Sequence, residues 1–182
     1  MDYFIELLFS GLTRGAIYAL IALGYTMVYG IIGLINFAHG EIYMIGAFTA
    51  LIAATVLSLW GVPLPAVLAL AALAAAVWAA AYGCTIERLA YRPLRAAPRL
   101  SPLISAIGMS IFLQNYVLLA QTSEFQPFPA LIPDLPLLEP WAAVVGTTDL
   151  AILVVSTTVM VLLSLFIRFS RMGKAMRATA QD

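Results

Sequence analysis

Three polar side chains of different chemistry stand close together in an otherwise apolar stretch: Asn36, His39 and Glu41, within Asn36-Phe37-Ala38-His39-Gly40-Glu41. An amide, an imidazole and a carboxylate at this spacing could contact a polar solute, relay a proton or cap a turn. An ionised carboxylate in hydrocarbon is costly, so Glu41 must face a cavity, a partner or the membrane boundary. Gly40, beside His39, lets the backbone bend without steric cost. Two readings follow. In one, a helix is broken here, and its freed amides and carbonyls line a path for polar solute. In the other, the segment is a cytoplasmic hairpin turn, with Asn36 capping and Glu41 where the next helix's dipole favours a negative charge. The residue pattern leaves both open.

A second polar group, Ser105, Ser110, Gln114 and Asn115, lies inside a later apolar run. Gln114 and Asn115 join Asn36, His39, Gly40 and Glu41 as candidates for a translocation path, although hydrogen bonding between helices is the plainer use of such groups. Ser156, Thr157 and Thr158 can bond back to their own helix carbonyls and carry less weight. Catalysis is poorly supplied. His39 is the single histidine, and neither a Gly-x-Ser-x-Gly elbow nor a His-Glu-x-x-His metal motif accompanies it. Lys174 follows Gly173, but Arg168 stands where a phosphate-binding loop needs its first glycine. If ATP supplies energy, another subunit must bind it. Cys84 is alone, which excludes an internal disulfide and a cysteine metal cluster. No catalytic residue, metal or cofactor is expected, and nothing points to nucleic acid.

The elements that must hold these groups follow from composition. The chain has 182 residues, 63% hydrophobic and 10% charged, where a soluble domain carries about a quarter charged. Runs of about 20 apolar residues match a hydrocarbon core about 30 Å thick, and backbone groups in lipid must pair within the segment, so such runs read as helices. Spans are expected near residues 15–34, 42–60, 66–83, 102–120 and 150–167. The expected fold is all-α: a polytopic transmembrane helix bundle of about five spans, with a broken or re-entrant segment near residues 35–41. Gly46, Ala50 and Ala54, then Ala71, Ala75, Ala79 and Gly83, recur at four-residue spacing, a stripe of small residues that lets helices approach closely. The acidic start, Met1-Asp2-Tyr3-Phe4-Ile5-Glu6, argues against a cleavable signal, so the first apolar segment is expected to be retained.

Charge placement orients the bundle. Eight of the nine basic residues fall within residues 88–99 and 168–177, and Arg14 is the ninth. Short loops rich in Lys and Arg stay cytoplasmic. The loop at residues 121–148 has Pro127, Pro129, Pro133, Pro136 and Pro140, with Glu124, Asp134 and Glu139 and no Lys or Arg. It is expected outside and non-helical, with Trp141 at the interface. A count of spans puts residues 36–41 on the inner side or within the membrane, and the N-terminus outside.

At this level of detail the chain resembles a known family. Gly15-Ala16-Ile17-Tyr18-Ala19-Leu20-Ile21-Ala22-Leu23-Gly24, then Ile35 to Glu41, then Met44-Ile45-Gly46-Ala47, look like permeases of branched-chain amino-acid ABC importers of the LivH type. Glu87-Arg88-Leu89-Ala90-Tyr91-Arg92-Pro93-Leu94-Arg95 is similar to that family's first cytoplasmic loop. The run from Gly173-Lys174-Ala175-Met176-Arg177 to Asp182 resembles the beginning of its coupling segment. The resemblance implies a multi-pass subunit of the bacterial inner membrane that pairs with a second permease subunit. Two cytoplasmic ATP-binding subunits would dock below, a periplasmic substrate-binding protein would deliver leucine, isoleucine or valine above, and membrane lipid would surround the rest. Arg171, Gly173, Lys174 and Arg177 would then carry ATPase coupling, and simple positive-inside anchoring is compatible with that. Residues 1–182 are expected to form a single transmembrane permease domain, truncated inside the coupling segment. Urea or short amides are alternative substrates. An ATP-independent secondary transporter or channel, with His39 and Glu41 relaying protons, is the rival mechanism.

Overall fold

The computed structural model describes residues 2–33, 35–94, 97–98, 100–122, 124, 126–129, 131–132 and 146–179. Arg95 and Arg99 of the basic segment lie outside the described residues. So do Pro133, Asp134, Pro136, Glu139, Pro140 and Trp141 of the outer loop, and residues 180–182 of the terminal run. Among the described residues every regular element is helical. They are α1 (Asp2–Ile32), α2 (His39–Leu59), α3 (Leu64–Ile86), α4 (Leu100–Ala120), α5 (Thr147–Phe169) and α6 (Arg171–Thr179). α3 runs on through one π-helical turn, Glu87–Tyr91, and one 3-10 turn, Arg92–Leu94. Five helices are long and apolar enough to cross a membrane: Tyr3–Gly30, His39–Leu59, Leu64–Leu94, Leu100–Ala120 and Thr147–Phe169. The all-α polytopic reading stands.

The boundary of α1 differs from the expected one. The helix begins at Asp2, well before residue 15, because residues 3–12 are themselves mostly apolar. The polar residues near residue 13 do not stop it: the Thr13 hydroxyl donates to the Phe9 carbonyl at 2.9 Å, satisfying itself within the helix. α1 ends at a glycine for a clear reason. Gly33 has φ 67, and its N–H donates to the Tyr29 carbonyl at 2.8 Å, a left-handed cap that a side chain would strain. Gly40, by contrast, lies within α2 with open space where a Cβ would project. The residue that lets the backbone turn is therefore Gly33. Gly40 takes ordinary helical geometry.

The described residues fall into two compact units, residues 34–131 and residues 1–33 with 132–182. In the first, α2 and α3 form an antiparallel hairpin. Gly61 (φ 70) and Pro63 make the turn, and Pro65 sits in the first turn of α3, where a missing N–H costs nothing. The small-residue stripes meet here. The Gly46 Cα lies so close to α3 that a Cβ on it would stand 3.7 Å from the Ala79 Cβ and 3.9 Å from the Ala75 carbonyl oxygen. Ala54, Val67 and Ala71 are buried against one another farther along. Toward the other end of the hairpin, Ala38, Ile45, Ile86, Ala90, Leu113 and Val117 form a second core that brings in α4.

In the second unit, α1 packs along α5, and α6 folds back against both. Thr13, Thr147 and Ser156 are buried there. The Thr158 hydroxyl donates to the Val154 carbonyl at 2.7 Å, the self-satisfied pairing that its position inside an apolar helix calls for.

Because Ala54 is wholly buried where α2 crosses α3, Ala54→Leu should overpack that contact and cost about 1–3 kcal/mol. Ala72→Leu, on the exposed face of α3, should change stability by no more than about 0.5 kcal/mol. Unfolding of the detergent-solubilised protein compares the two; equal losses would remove the assigned role of the small-residue stripe.

Candidate functional site

The polar segment at residues 35–41 is fixed by two hydrogen bonds on one side-chain oxygen. Asn36 Oδ1 accepts from the Ala38 backbone N–H at 3.0 Å, closing a local turn just ahead of α2. It also accepts from the Tyr91 hydroxyl at 2.6 Å, a contact between residues 55 apart in sequence. The His39 N–H donates to the Asn36 carbonyl at 3.2 Å, and α2 starts there. Ala38, the residue between, is 0% exposed within the core. The turn is thus held by hydrogen bonds on Asn36 and by burial of Ala38.

The π-helical turn presents Tyr91 for this contact. Widening α3 by one turn shifts the register of the residues that follow, a feature that often marks functional positions. Ala90 of that turn packs in the core, and its carbonyl accepts from the Ser105 hydroxyl of α4 at 3.2 Å. A carbonyl near a helix end lacks its regular partner, and Ser105 supplies one. Arg88 lies within the turn and Arg92 directly follows it. Since Tyr91 reaches Asn36, the polar segment lies at the same end of this unit as those arginines.

Glu41, in the first turn of α2, accepts from the Ser110 hydroxyl of α4 at 3.1 Å. A half-buried carboxylate therefore has both a hydrogen-bond donor and a helix N-terminus beside it, the two features that lower its cost near hydrocarbon. Asn36 and Glu41 are so drawn into one cluster that spans α2, α4 and the end of α3. Half-buried His39 lies between them in sequence. Gln114 and Asn115 stand one turn farther along α4, and both are exposed. The Asn115 amide donates to the Ile111 carbonyl of its own helix at 2.8 Å. Of Ser105, Ser110, Gln114 and Asn115, the two serines bond to other elements, and Asn115 bonds within its own helix.

A second site of fixed geometry is the corner between α5 and α6. Ser170 joins the two helices in extended conformation, with φ −73 and ψ 155. Its N–H donates to the Phe166 carbonyl at 2.9 Å, closing α5, and its hydroxyl accepts from the Gly173 N–H at 2.8 Å, capping α6. Gly173 is buried against the end of α5. A Cβ there would overlap the Ile167 carbonyl group and stand 2.6 Å from the Ile167 Cα, so only glycine fits. The Arg177 guanidinium donates back to the Arg168 carbonyl at 3.2 Å, satisfying one of the free carbonyls at the end of α5. Arg171 and Lys174 remain exposed, with Met172 64% exposed beside them. α6 therefore turns Gly173 and half-buried Met176 toward its own unit and offers a basic face outward.

Comparison with known proteins places this arrangement. The family model described as "Branched-chain amino acid transport system / permease component" matches residues 7–182. The chain belongs to this family of permease components. It is 51% identical to the high-affinity branched-chain amino acid transport system permease protein BraD of Pseudomonas aeruginosa. It is 49% identical to LivH, the permease protein of the same kind of system, in Escherichia coli strain K12, and 48% identical to LivH of Salmonella typhimurium. Each match covers 99% of this chain and 60% of the relative's length. No solved structure matches the chain.

For this permease component, residue type alone pointed to Asn36 and Glu41, and the family resemblance pointed to Gly173. Tyr91, Ser105 and Ser170 acquire their importance only from their partners. A signal for Tyr91 was present, since Glu87-Arg88-Leu89-Ala90-Tyr91-Arg92 sets one hydroxyl among basic residues. Tyr91→Phe should remove a single hydrogen bond and cost about 1 kcal/mol. Asn36→Ala should cost more, about 2–3 kcal/mol, because it strands both the Tyr91 hydroxyl and the Ala38 N–H. Paired unfolding measurements on the two variants and the double variant check this; fully additive losses would mean that the pair is not coupled.

Proposed function

We propose that this permease component forms, with a second permease subunit, the translocation path of an ATP-driven importer of branched-chain amino acids. Two cytoplasmic ATP-binding subunits would supply the energy, and a periplasmic substrate-binding protein would deliver leucine, isoleucine or valine. Identity of 48–51% with permeases named for high-affinity branched-chain amino acid transport supports the substrate class. The observation that carries the mechanism is the α5–α6 corner. Gly173 against Ile167, the Ser170 cap and the Arg177 bond leave α6 little freedom to turn without α5.

In this reading Arg171 and Lys174 meet the acidic surface of an ATP-binding subunit, while Gly173 and Arg177 fix the angle at which α6 meets α5. A push on α6 then becomes a tilt of a membrane-spanning helix. At the cytoplasmic end of the other unit, Asn36, His39, Gly40 and Glu41 would line the inner part of the path. Gln114 and Asn115 would continue it along α4. The Tyr91 and Ser110 bonds hold that lining in one geometry, as a site selective for small zwitterions needs.

The test uses the full-length protein reconstituted with its partner subunits in proteoliposomes. ATP-dependent leucine uptake is expected, and no uptake of urea. Gly173→Ala and Arg177→Ala should each leave the complex assembled and hydrolysing ATP while lowering uptake per ATP by about tenfold or more. Unchanged coupling in both variants would sink the assigned role of the corner, and leucine flux without ATP would favour a secondary transporter.

A further inference from the structure

At the end of the 34–131 unit away from the basic residues, a cleft of about 360 Å³ opens between α2 and the segment that follows α4. Phe48, Ile52 and Val56 line it from α2. Their spacing of four residues sets them along one face, over a length of about 12 Å. Thr55, Gln121 and Gln126 make its rim. Its apolar lining runs along α2 from Phe48 to Val56, and Gln121 and Gln126 face it from the segment that follows α4. Phe48 also packs on the core that holds Ala38 and Ile45, so the floor of the cleft is set by the same packing that fixes the Asn36–Glu41 cluster.

This chemistry selects an occupant. An amide side chain offers both a donor and an acceptor, so Gln121 and Gln126 can meet a carboxylate and an ammonium alike. The Thr55 hydroxyl already donates to the Leu51 carbonyl at 2.8 Å and keeps its lone pairs for an ammonium. No charged side chain is among the described lining residues, so a ligand with net charge would go uncompensated. An anionic lipid headgroup would look for Lys or Arg and find none among the described lining residues. The volume suits a small ligand. We propose that this cleft is an outer binding site for a net-neutral amino acid with a branched aliphatic side chain. The zwitterionic head lies at the Gln121–Gln126 rim, and the side chain points toward Phe48. The proposal rests on the importer reading for its substrate class.

Two measurements on the full-length protein with its partner subunits test it. In a Cys84→Ser background, Ile52→Cys should react with a water-soluble thiol reagent. Millimolar leucine should slow that reaction at least about fivefold, and lysine or aspartate should not. Ile52→Trp fills the cleft and should lower leucine uptake about tenfold while lowering alanine uptake less, because the lost space is that of the branched side chain. Gln121→Leu should lower both alike. If the unsubstituted protein takes up leucine, but Ile52→Trp takes it up equally well and leucine gives no protection, the cleft is overturned and the importer reading survives. Slow labelling of Ile52→Cys that leucine does not change would mean that lipid fills the cleft, which also overturns it. Protection by leucine in a protein that shows no leucine uptake would keep the site and overturn the importer.

Discussion

Hydrocarbon offers no hydrogen-bond partner, so any polar group held at membrane depth must find one within the protein. The bond from the Tyr91 hydroxyl to Asn36 Oδ1 at 2.6 Å supplies such a partner next to the spans. Asn36 sits between two apolar helical segments and would be costly if left without a partner. Tyr91 reaches it because α3 does not end as a simple α-helix but opens into a π-helical turn. Ala90 of the same turn is buried in the core and takes the Ser105 hydroxyl on its carbonyl. Three elements are therefore registered against each other by one short polar network, and the start of α2 follows from it.

The same economy shapes the rest. Glu41 is tolerated because Ser110 and the first turn of α2 both face it. The hydroxyls of Thr13, Thr49, Ser58, Thr85 and Thr158 all donate to carbonyls of their own helices, so they make no demand on neighbouring ones. Contact between α2 and α3 then depends on shape, through Gly46, Ala54, Val67, Ala71 and Ala79, since lipid tails are as apolar as leucine and give helices no hydrophobic reason to associate. Large apolar side chains such as Leu73, Val77, Ile104 and Phe112 can remain outside. In water that surface would be a liability. In a bilayer it is the solvent-facing surface.

The α5–α6 corner applies a different principle to a different task. Here the chain leaves the apolar segment, and free carbonyls at the end of α5 face free N–H groups at the start of α6. Ser170 and Arg177 each satisfy one side of that junction, and Gly173 removes the side chain that would keep the two backbones apart. A joint of this kind resists bending, because bending it would uncover polar groups and drive backbone into backbone. The basic face of α6 is then free to meet another surface.

How much of this was legible beforehand divides along physical lines. The spans and their number follow from composition, because the bilayer sorts residues by hydropathy. The small-residue stripes followed from helical period, and they meet as the spacing of Gly46, Ala75 and Ala79 requires. The turn-forming glycine did not follow: Gly40 stands beside the polar residues, yet Gly33 takes the left-handed conformation, since φ is set by where α1 ends. Nor did the start of α1, where local apolarity carried the helix back to Asp2. By itself the sequence determined which residues are costly in lipid: Asn36, His39 and Glu41. Only the tertiary structure decided how Asn36 and Glu41 are satisfied, because Tyr91 and Ser110 lie 55 and 69 residues away, and side-chain partnership across such distances is a property of packing that no local pattern encodes.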